Sequence, residues 1–289
     1  MKKDLVAPSP TAIKSATPVI FQTKMAQAVA MLCSVAAHFV RLPVLVVTDS
    51  WFGNNGLFRP LQASAFTFNL LSRLRSNNHL HDLPPQRNAH QRGRSRKYGE
   101  KLGSVSTLAT AYREKAQTLS VFLYGKQREV LAYERVVMLR NLRAPARVVW
   151  VFRKTRWVAL FTTDRTLSVQ QIIEYYGARW KIESGFKEIK QEIGSAKSQT
   201  RNAHAVINHL NFCMMAATVT WIYADRIQSE PQRRHQVPGR ASYAFSDVRR
   251  LIANAALTED FSGLWTIQPK PRQNSFVATL LRRQLLDLL

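Results

Sequence analysis

The run Val44–Asp49 constrains the fold of this chain more than any other part of the sequence. It reads VLVVTD, so four apolar, mostly β-branched residues follow one another without a polar residue between them. Continuous apolar runs of this length are typical of strands buried on both faces, which are usually parallel strands. The run ends on Asp49, and the turn-forming residues SWFGNNG follow it. The sequence therefore predicts a buried strand of an α/β sheet with a carboxylate at its C-terminal end.

The charge of the chain indicates a polyanionic partner. Its 289 residues include 42 Lys and Arg but 18 Asp and Glu, which gives a formal net charge of +24. The hydrophobic content of 46% excludes a disordered basic tail and predicts a real core. Positive charge spread over a folded chain favours nucleic acid, and a basic surface that only maintains solubility is the alternative.

No segment has the pattern of a secretion signal or of a clear membrane span. The N-terminus, MKKDLVAPSPTAIK, starts basic but lacks an apolar core. The longest apolar run, Val206–Ala224, contains two Asn and one His, so we expect a buried core helix. Cys33 and Cys213 lack metal-ligand spacing, which predicts reduced, buried thiols in a cytosolic protein.

Patterns along the rest of the chain predict helices around a β-rich block. Alternation between 118 and 164 predicts an antiparallel meander with turns at Gly125, 141–145 and 154–155. Ser168 or Thr166 is the expected N-cap of a long helix that Gly194 ends. Further helices are expected at 24–40, 203–228, 245–257 and 275–288, a second core strand at 65–74, and exposed basic segments at 84–101 and 229–243.

Four functional side chains recur at regular intervals in the long helix, in the sequence YYGARWKIESGFKEIKQEIG. They are Tyr176, Arg179, Glu183 and Lys190, and their offsets of 3, 7 and 14 stack them on one face of an α-helix. An ordinary helix with i,i+4 ion pairs explains the pattern equally well. Asp49 favours a site, because a strand-end acid and an acid on a packed helix can share Mg²⁺.

The same helical wheel assigns the neighbouring residues to two sides. The expected apolar stripe consists of Tyr175, Ile182, Phe186, Ile189 and Ile193. The expected water-facing residues are Lys181, Ser184, Glu188, Gln191 and Glu192.

The spacing Y-(2)-R-(3)-E-(6)-K resembles the signature of bacterial insertion-sequence transposases, the DDE transposases of the insertion-sequence-4-like group. VVTDSWFG around Asp49 resembles the segment that holds the group's second catalytic Asp, and the segment around Glu183 resembles the one that holds its catalytic Glu. The resemblance covers roughly Lys24 to Tyr223. It implies an α/β fold with a ribonuclease H-like core, interrupted between the two acids by a β-rich insertion that Gly99–Thr163 fits.

The resemblance also implies an activity and roles for individual residues. Asp49 and Glu183 are the expected catalytic and metal-binding acids, with Mg²⁺ as the cofactor and Mn²⁺ as a substitute. The reaction is hydrolysis of DNA at the element's end and attack of the freed 3′-hydroxyl on target DNA. The expected contacts with transposon-end DNA are Tyr176, Arg179, Lys187 and Lys190.

The sequence allows two interpretations for several further residues. Arg92, Arg94, Arg96 and Lys97 either hold phosphates or form a solvated loop. Trp51 stacks on a base or, as such residues more often do, anchors the core. The expected partner is double-stranded DNA, both transposon ends and target, in the bacterial cytoplasm at the nucleoid and without a membrane. A homodimer in the DNA complex is left open.

The sequence departs from the family pattern before Asp49. The family places a first catalytic Asp on an earlier strand, whereas the only acidic residue before Asp49 is Asp4, which no apolar run precedes. We therefore expect a chain that lacks the usual N-terminal portion and cleaves DNA weakly or not at all. A non-catalytic DNA-binding remnant is the alternative, and an unrelated RNA-binding protein lacks an aromatic-basic module.

These expectations divide the chain into five parts. They are an irregular segment at 1–23, the first part of the core at 24–98, the insertion at 99–165, the second part of the core with the catalytic helix at 166–228, and a basic linker with C-terminal helices at 229–289.

Overall fold

The computed structural model describes residues 21–39, 42–86, 92–226, 233, 235–236 and 243–258. The chain divides into two compact units. We call Ser15–Lys181 the sheet unit, and we call Met1–Lys14 together with Ile182–Leu289 the helical unit.

One mixed sheet forms the centre of the sheet unit. Its strands in the described part of the chain are β1 (Val44–Val47), β2 (Phe68–Arg73), β3 (His79–His81), β4 (Lys101–Ser104), β5 (Gln117–Leu123), β6 (Lys126–Leu139), β7 (Ala144–Arg153) and β8 (Arg156–Thr162). The strand order is β1-β2-β8-β7-β6-β3-β4, and β5 also pairs with β6. β1 and β2 are parallel, while the remaining pairs are antiparallel.

The predicted meander is confirmed by β5 to β8. Its turns lie at the predicted places, and the backbone adopts left-handed φ angles there at Gly125 (77°), Arg143 (55°) and Lys154 (51°). Short hairpin turns need such angles because their twist matches that of the flanking strands. β8 also pairs with β2, so the meander and the two parallel strands share one sheet. The expected domain boundaries at 98 and 165 stay predictions.

Helices cover both faces of this sheet, and each face has its own apolar core. The helices of the sheet unit are α1 (Lys24–Ala36), α2 (Asn55–Gln62), α3 (Val105–Tyr112) and α4 (Val169–Ala178). Leu70 and Phe161 belong to the core under α1, α2 and α3, whereas Leu71 and Leu160 belong to the core under α4. Neighbouring residues of a strand point to opposite faces of the sheet, so each strand contributes alternate residues to the two cores.

The predictions for the two core strands are partly confirmed. β1 is parallel to β2, as expected, but the expectation that β1 is fully buried is wrong because only Val46 is buried. β1 lies at the edge of the described sheet, so neighbours cover it from one side only. The elements that the sequence analysis missed, α2, β3, β4 and α3, are too short to establish a periodicity of their own.

The long helix predicted from Ser168 to Ile193 is wrong as one continuous element. Ser168 does cap α4, and its side chain and that of Gln171 form a reciprocal capping box. α4 ends at Ala178, α5 covers Lys181–Lys187, and Glu188–Ile193 form a π-helical turn that Gly194 (φ 89°) ends. Gly177 weakens the helix near its end, and the backbone N–H groups of Arg179 and Trp180 donate i→i−3 hydrogen bonds instead of α-helical ones.

The break changes which side chains are exposed. From the expected apolar stripe, Tyr175, Ile182 and Phe186 are exposed, so the wheel assignment is wrong for them. From the expected water-facing side, Ser184, Glu188 and Glu192 are half-buried. A π-helical turn contains more residues than an α-helical turn, so a wheel drawn at 100° per residue loses its phase there.

The rest of the helical unit consists of α6 (Ala203–Arg226) and α7 (Phe245–Thr258), as predicted. Trp221 of α6 packs against Phe245 with ring centroids 5.6 Å apart, and Arg249 pairs with Glu192 at 3.7 Å. The expectation that α6 is a buried core helix is wrong. Its buried residues are Cys213, Ala217 and Thr220, and most of its large apolar side chains are exposed. By length and composition alone, α6 could also cross a membrane.

Candidate functional site

Asp49 follows β1 directly, and the loop after the strand fixes its side chain. Oδ1 accepts hydrogen bonds from the backbone N–H groups of Trp51 (2.9 Å) and Phe52 (3.2 Å), which is an Asx turn. The side chain is exposed, and no residue in the described part of the chain donates to Oδ2. The carboxylate is therefore held in one direction and keeps one oxygen for a ligand.

Gly53 and Ser72 tie this loop to the neighbouring strand. Ser72 Oγ of β2 donates a 2.6 Å hydrogen bond to the carbonyl oxygen of Asp49. A Cβ atom on Gly53 would lie 2.9 Å from Ser72 Cβ and even closer to Ser72 Oγ. Asn141 holds the other side of the loop through a 3.1 Å hydrogen bond from Nδ2 to the Gly53 carbonyl oxygen. The position of Asp49 thus depends on a close approach that only glycine permits.

Tyr176 and Arg179 of the predicted motif interact with each other. The Arg179 guanidinium carbon lies 5.7 Å from the centroid of the Tyr176 ring, a cation–π distance. Burial raises the pKa of Tyr176, and the charges of Arg179 and Arg73 counteract part of this rise. The Tyr176 hydroxyl therefore stays protonated at neutral pH and remains a hydrogen-bond donor.

Arg73 is a residue of this site that the sequence analysis missed. It is the exposed last residue of β2, and it lies within electrostatic range of Tyr176, as does Asp49. The parallel register pairs Val47 with Leu71, so continuing it by two residues places Asp49 opposite Arg73. The signal was available, because a parallel pair brings the carboxyl ends of both strands to the same edge.

Glu183, Lys190 and the expected DNA contact Lys187 lie in the helical unit. Glu183 stands in the first turn of α5 and Lys187 in its last turn, where the helix dipole favours each charge. Lys190 follows in the π-helical turn, and all three side chains are exposed. Because Asp49 belongs to the sheet unit, the expected approach of the two acids stays a prediction.

The remaining candidates lie on exposed segments. Arg92, Arg94, Arg96 and Lys97 are exposed and belong to no helix or strand, while residues 87–91 lie outside the described residues. Much of the second basic segment, 234 and 237–242, also lies outside them. Trp51 is 44% exposed and packs edge-to-face on Phe52 at 4.7 Å, so the interpretation as a core anchor is wrong.

The donor chemistry of Asp49 fits a hard cation. Carboxylate oxygens are the ligands that Mg²⁺ prefers, and Asp49 is exposed. Glu183 offers the same chemistry from an exposed position. Within the described ranges, no group of three or more His, Cys, Asp or Glu is placed to hold a metal ion. The expected sharing of a cation by Asp49 and Glu183 stays a prediction.

Comparison with known families places these residues in one domain. A family model described as "Transposase DDE domain" matches residues 23–219. The match covers more than half of the chain and includes Asp49, Arg73, Tyr176, Arg179 and Glu183. A search of the curated proteins finds no match.

Proposed function

Because this chain belongs to the family of proteins with a transposase DDE domain, we propose that it acts on the DNA ends of a bacterial mobile element. The family implies a DNA-cleaving and strand-transferring enzyme, and the described fold is a mixed α/β sheet with several helices. We assign the chain to the insertion-sequence-4-like group and its sheet to a ribonuclease H-like core. The spacing of Tyr176, Arg179, Glu183 and Lys190 supports the first assignment, and the parallel pair β1 and β2 supports the second.

One observation carries this proposal: the grouping of Asp49 with Arg73, Tyr176 and Arg179 at one edge of the sheet. An acid that can hold a cation stands there beside two guanidinium groups and a protonated phenol. This combination suits phosphodiester chemistry, since a cation can act on the reacting phosphate while the other donors hold the neighbouring phosphates.

DDE transposases use divalent metal ions, and Asp49 and Glu183 are the residues that would hold Mg²⁺ or Mn²⁺ here. When bound, the ion supplies Lewis-acid charge to the scissile phosphate. The Asx turn restricts Asp49, so this residue contributes a ligand whose direction is set before the ion binds. Glu183 brings the second carboxylate from α5.

Three groups of residues would contact the DNA backbone in this proposal. Arg179 presents a planar fork of donors that fits phosphate oxygens, and its contact with Tyr176 orients the fork. Arg73 adds charge at the same edge. The exposed cations that extend the contact along the duplex are Lys187, Lys190, Arg92, Arg94, Arg96 and Lys97. Trp51, which is exposed beside Asp49, is available to stack on an unpaired base.

The acid count supports weak cleavage by this chain alone. Two-metal phosphoryl transfer needs carboxylates around both ions, and the sequence before Asp49 offers only Asp4. The net charge of +24 supports a second function, DNA binding without cleavage. In both cases we place the protein in the cytoplasm, associated with the nucleoid.

Cleavage of a labelled duplex that carries the element's terminal repeat tests the proposal. The unsubstituted chain is compared with Asp49→Asn and Glu183→Gln in Mg²⁺ and in Mn²⁺, and Glu129→Gln, an exposed acid of β6, serves as the control. We expect any metal-dependent cleavage to disappear in both site variants and to persist in Glu129→Gln. Cleavage that survives both site variants would refute the assignment of the acids. Unchanged binding without cleavage in any variant favours the DNA-binding function.

A further inference from the structure

α6 exposes four large apolar side chains along one edge, and its neighbours in the helical unit cover this edge only in part. Ile207, Leu210, Met214 and Trp221 recur at offsets of 3, 7 and 14, and all four are exposed. Ala217 completes the same heptad pattern and is buried. We call these five residues the α6 seam. A seam of this kind is the surface that one helix offers to another.

The sequence beyond α7 contains a segment of matching length and pattern. The helix predicted at residues 275–288 lies outside the described residues. In its sequence, SFVATLLRRQLLDL, the apolar residues Val277, Leu281, Leu285 and Leu288 have offsets of 4, 8 and 11 and share one helical face. The α6 seam is about 21 Å long and this stripe about 17 Å long, at 1.5 Å per residue.

The place where α7 starts favours a partner from the same chain. Phe245, the first residue of α7, packs on Trp221 at one end of the α6 seam. Residues 259–274 follow α7, and an extended connection of that length reaches up to about 50 Å. The segment can therefore reach any point along the seam, and intramolecular docking raises its effective concentration over that of a second molecule.

We propose that residues 275–288 form a helix that docks on the α6 seam of the same molecule. The stripe of leucines faces the seam, while Arg282 and Arg283 remain in water on the other side of the segment. This docking removes from water the apolar surface that α6 otherwise exposes, which is the main driving force for helix association in aqueous solution.

Two neighbouring methionines of α6 provide an internal test in the full chain. Met214 lies in the seam and is 55% exposed in the described part of the chain, whereas Met215 lies outside the seam and is 58% exposed. Mild oxidation with hydrogen peroxide, followed by site-resolved mass spectrometry, measures both rates in one peptide. We expect Met214 to react several-fold more slowly than Met215. Equal rates in the unsubstituted chain would overturn the proposal.

Matched variants identify what covers the seam. Leu281→Glu places a charge on the docking stripe and is expected to equalise the two oxidation rates. Arg283→Glu, on the opposite side of the segment, is expected to preserve the difference. Circular dichroism checks that both variants keep their helices.

Two further experiments distinguish the other possible occupants of the α6 seam, a second copy of the chain and a membrane. Docking within one molecule predicts that the protection of Met214 is unchanged on dilution. Protection that fades on dilution and survives Leu281→Glu would assign the seam to a second copy and overturn the proposal. The same measurement with anionic lipid vesicles tests a membrane, and protection that arises only with vesicles would also contradict the docking. The dilution series decides the question even where Leu281→Glu unfolds.

Discussion

Arg179 lies over the ring of Tyr176, with 5.7 Å between its guanidinium carbon and the ring centroid. Tyr176 belongs to the last turn of α4, and Arg179 follows the end of that helix. The contact therefore fixes an arginine at the point where the chain leaves its regular helical path. Since this edge of the sheet also contains Asp49, the orientation of Arg179 matters for any phosphate that approaches the carboxylate.

We predict that Arg179→Lys weakens binding to the element's terminal repeat although the charge is kept. Lysine cannot form the planar pair of hydrogen bonds or stack on the tyrosine ring in the same way. The loss of one such charged hydrogen bond corresponds to about 1.5–3 kcal/mol. Fluorescence anisotropy at constant salt measures the affinity, and Arg59→Lys, an exposed position of α2, is the control. Equal losses in both variants would show that Arg179 contributes only charge.

Gly53→Ala should destabilise the sheet unit and disturb Asp49. The new methyl group would collide with Ser72, which is fully buried and holds the carbonyl oxygen of Asp49. Overpacking of this kind costs about 1–3 kcal/mol. Gly185→Ala in α5 is the matched control, because open space surrounds that position and alanine favours a helix by about 1 kcal/mol. Urea unfolding measures the stability of both variants. An unchanged midpoint for Gly53→Ala would contradict the close approach of Gly53 to Ser72.

Stability should fall with acid below pH 6.5 because of His81. Burial, and then the positive charges of Arg140, Lys101 and His79, lower the pKa of His81 from its ordinary 6.5. The folded state therefore binds fewer protons than the unfolded state just below pH 6.5. The contribution of neutral His81 to the free energy of unfolding is complete above pH 6.5. It is lost as the pH falls through the lowered pKa.

The variant His81→Gln tests this dependence. We expect a smaller decrease of the free energy of unfolding between pH 7 and pH 5 than in the unsubstituted chain, measured by urea titration at each pH. His38→Gln, at an exposed position after α1, should leave the decrease unchanged. An identical pH dependence for His81→Gln and the unsubstituted chain would exclude His81 as the cause.

The affinity for DNA should fall steeply with salt. Neutralised phosphates release counterions, and each lost contact reduces the slope of log affinity against log salt by about 0.9. Replacing Arg92, Arg94, Arg96 and Lys97 by alanine should therefore flatten the slope measured by filter binding. A slope equal to that of the unsubstituted chain would mean that this segment is a solvated loop, the second interpretation that the sequence allows.

Elements with a strong local sequence pattern could be predicted from the sequence, whereas features that depend on contacts between distant residues could not. The meander and its turns are encoded by alternation over strands as long as Lys126–Leu139, so their prediction is confirmed. The catalytic-helix prediction failed after Gly177, because a wheel assumes one constant rotation and the chain combines a break with a π-helical turn. Arg73 was missed because its role arises from strand pairing between residues far apart in sequence. The expected approach of Asp49 and Glu183, which stays a prediction, would also be long-range in sequence.

The last prediction concerns strand cleavage, which we expect to be weak or absent for this chain alone. The family's chemistry relies on three acids, and the segment before Asp49 contains only Asp4, which no apolar run precedes. If only two carboxylates held the ions, one of two catalytic ions would lack a ligand, and the charge that develops at the scissile phosphate would be poorly stabilised. The assay is cleavage of the terminal repeat in Mg²⁺ or Mn²⁺ by the unsubstituted chain, by Glu183→Gln and by Asp4→Asn. We expect Asp4→Asn to match the unsubstituted chain. Robust cleavage by the unsubstituted chain that is lost in both Glu183→Gln and Asp4→Asn would instead identify Asp4 as the missing acid.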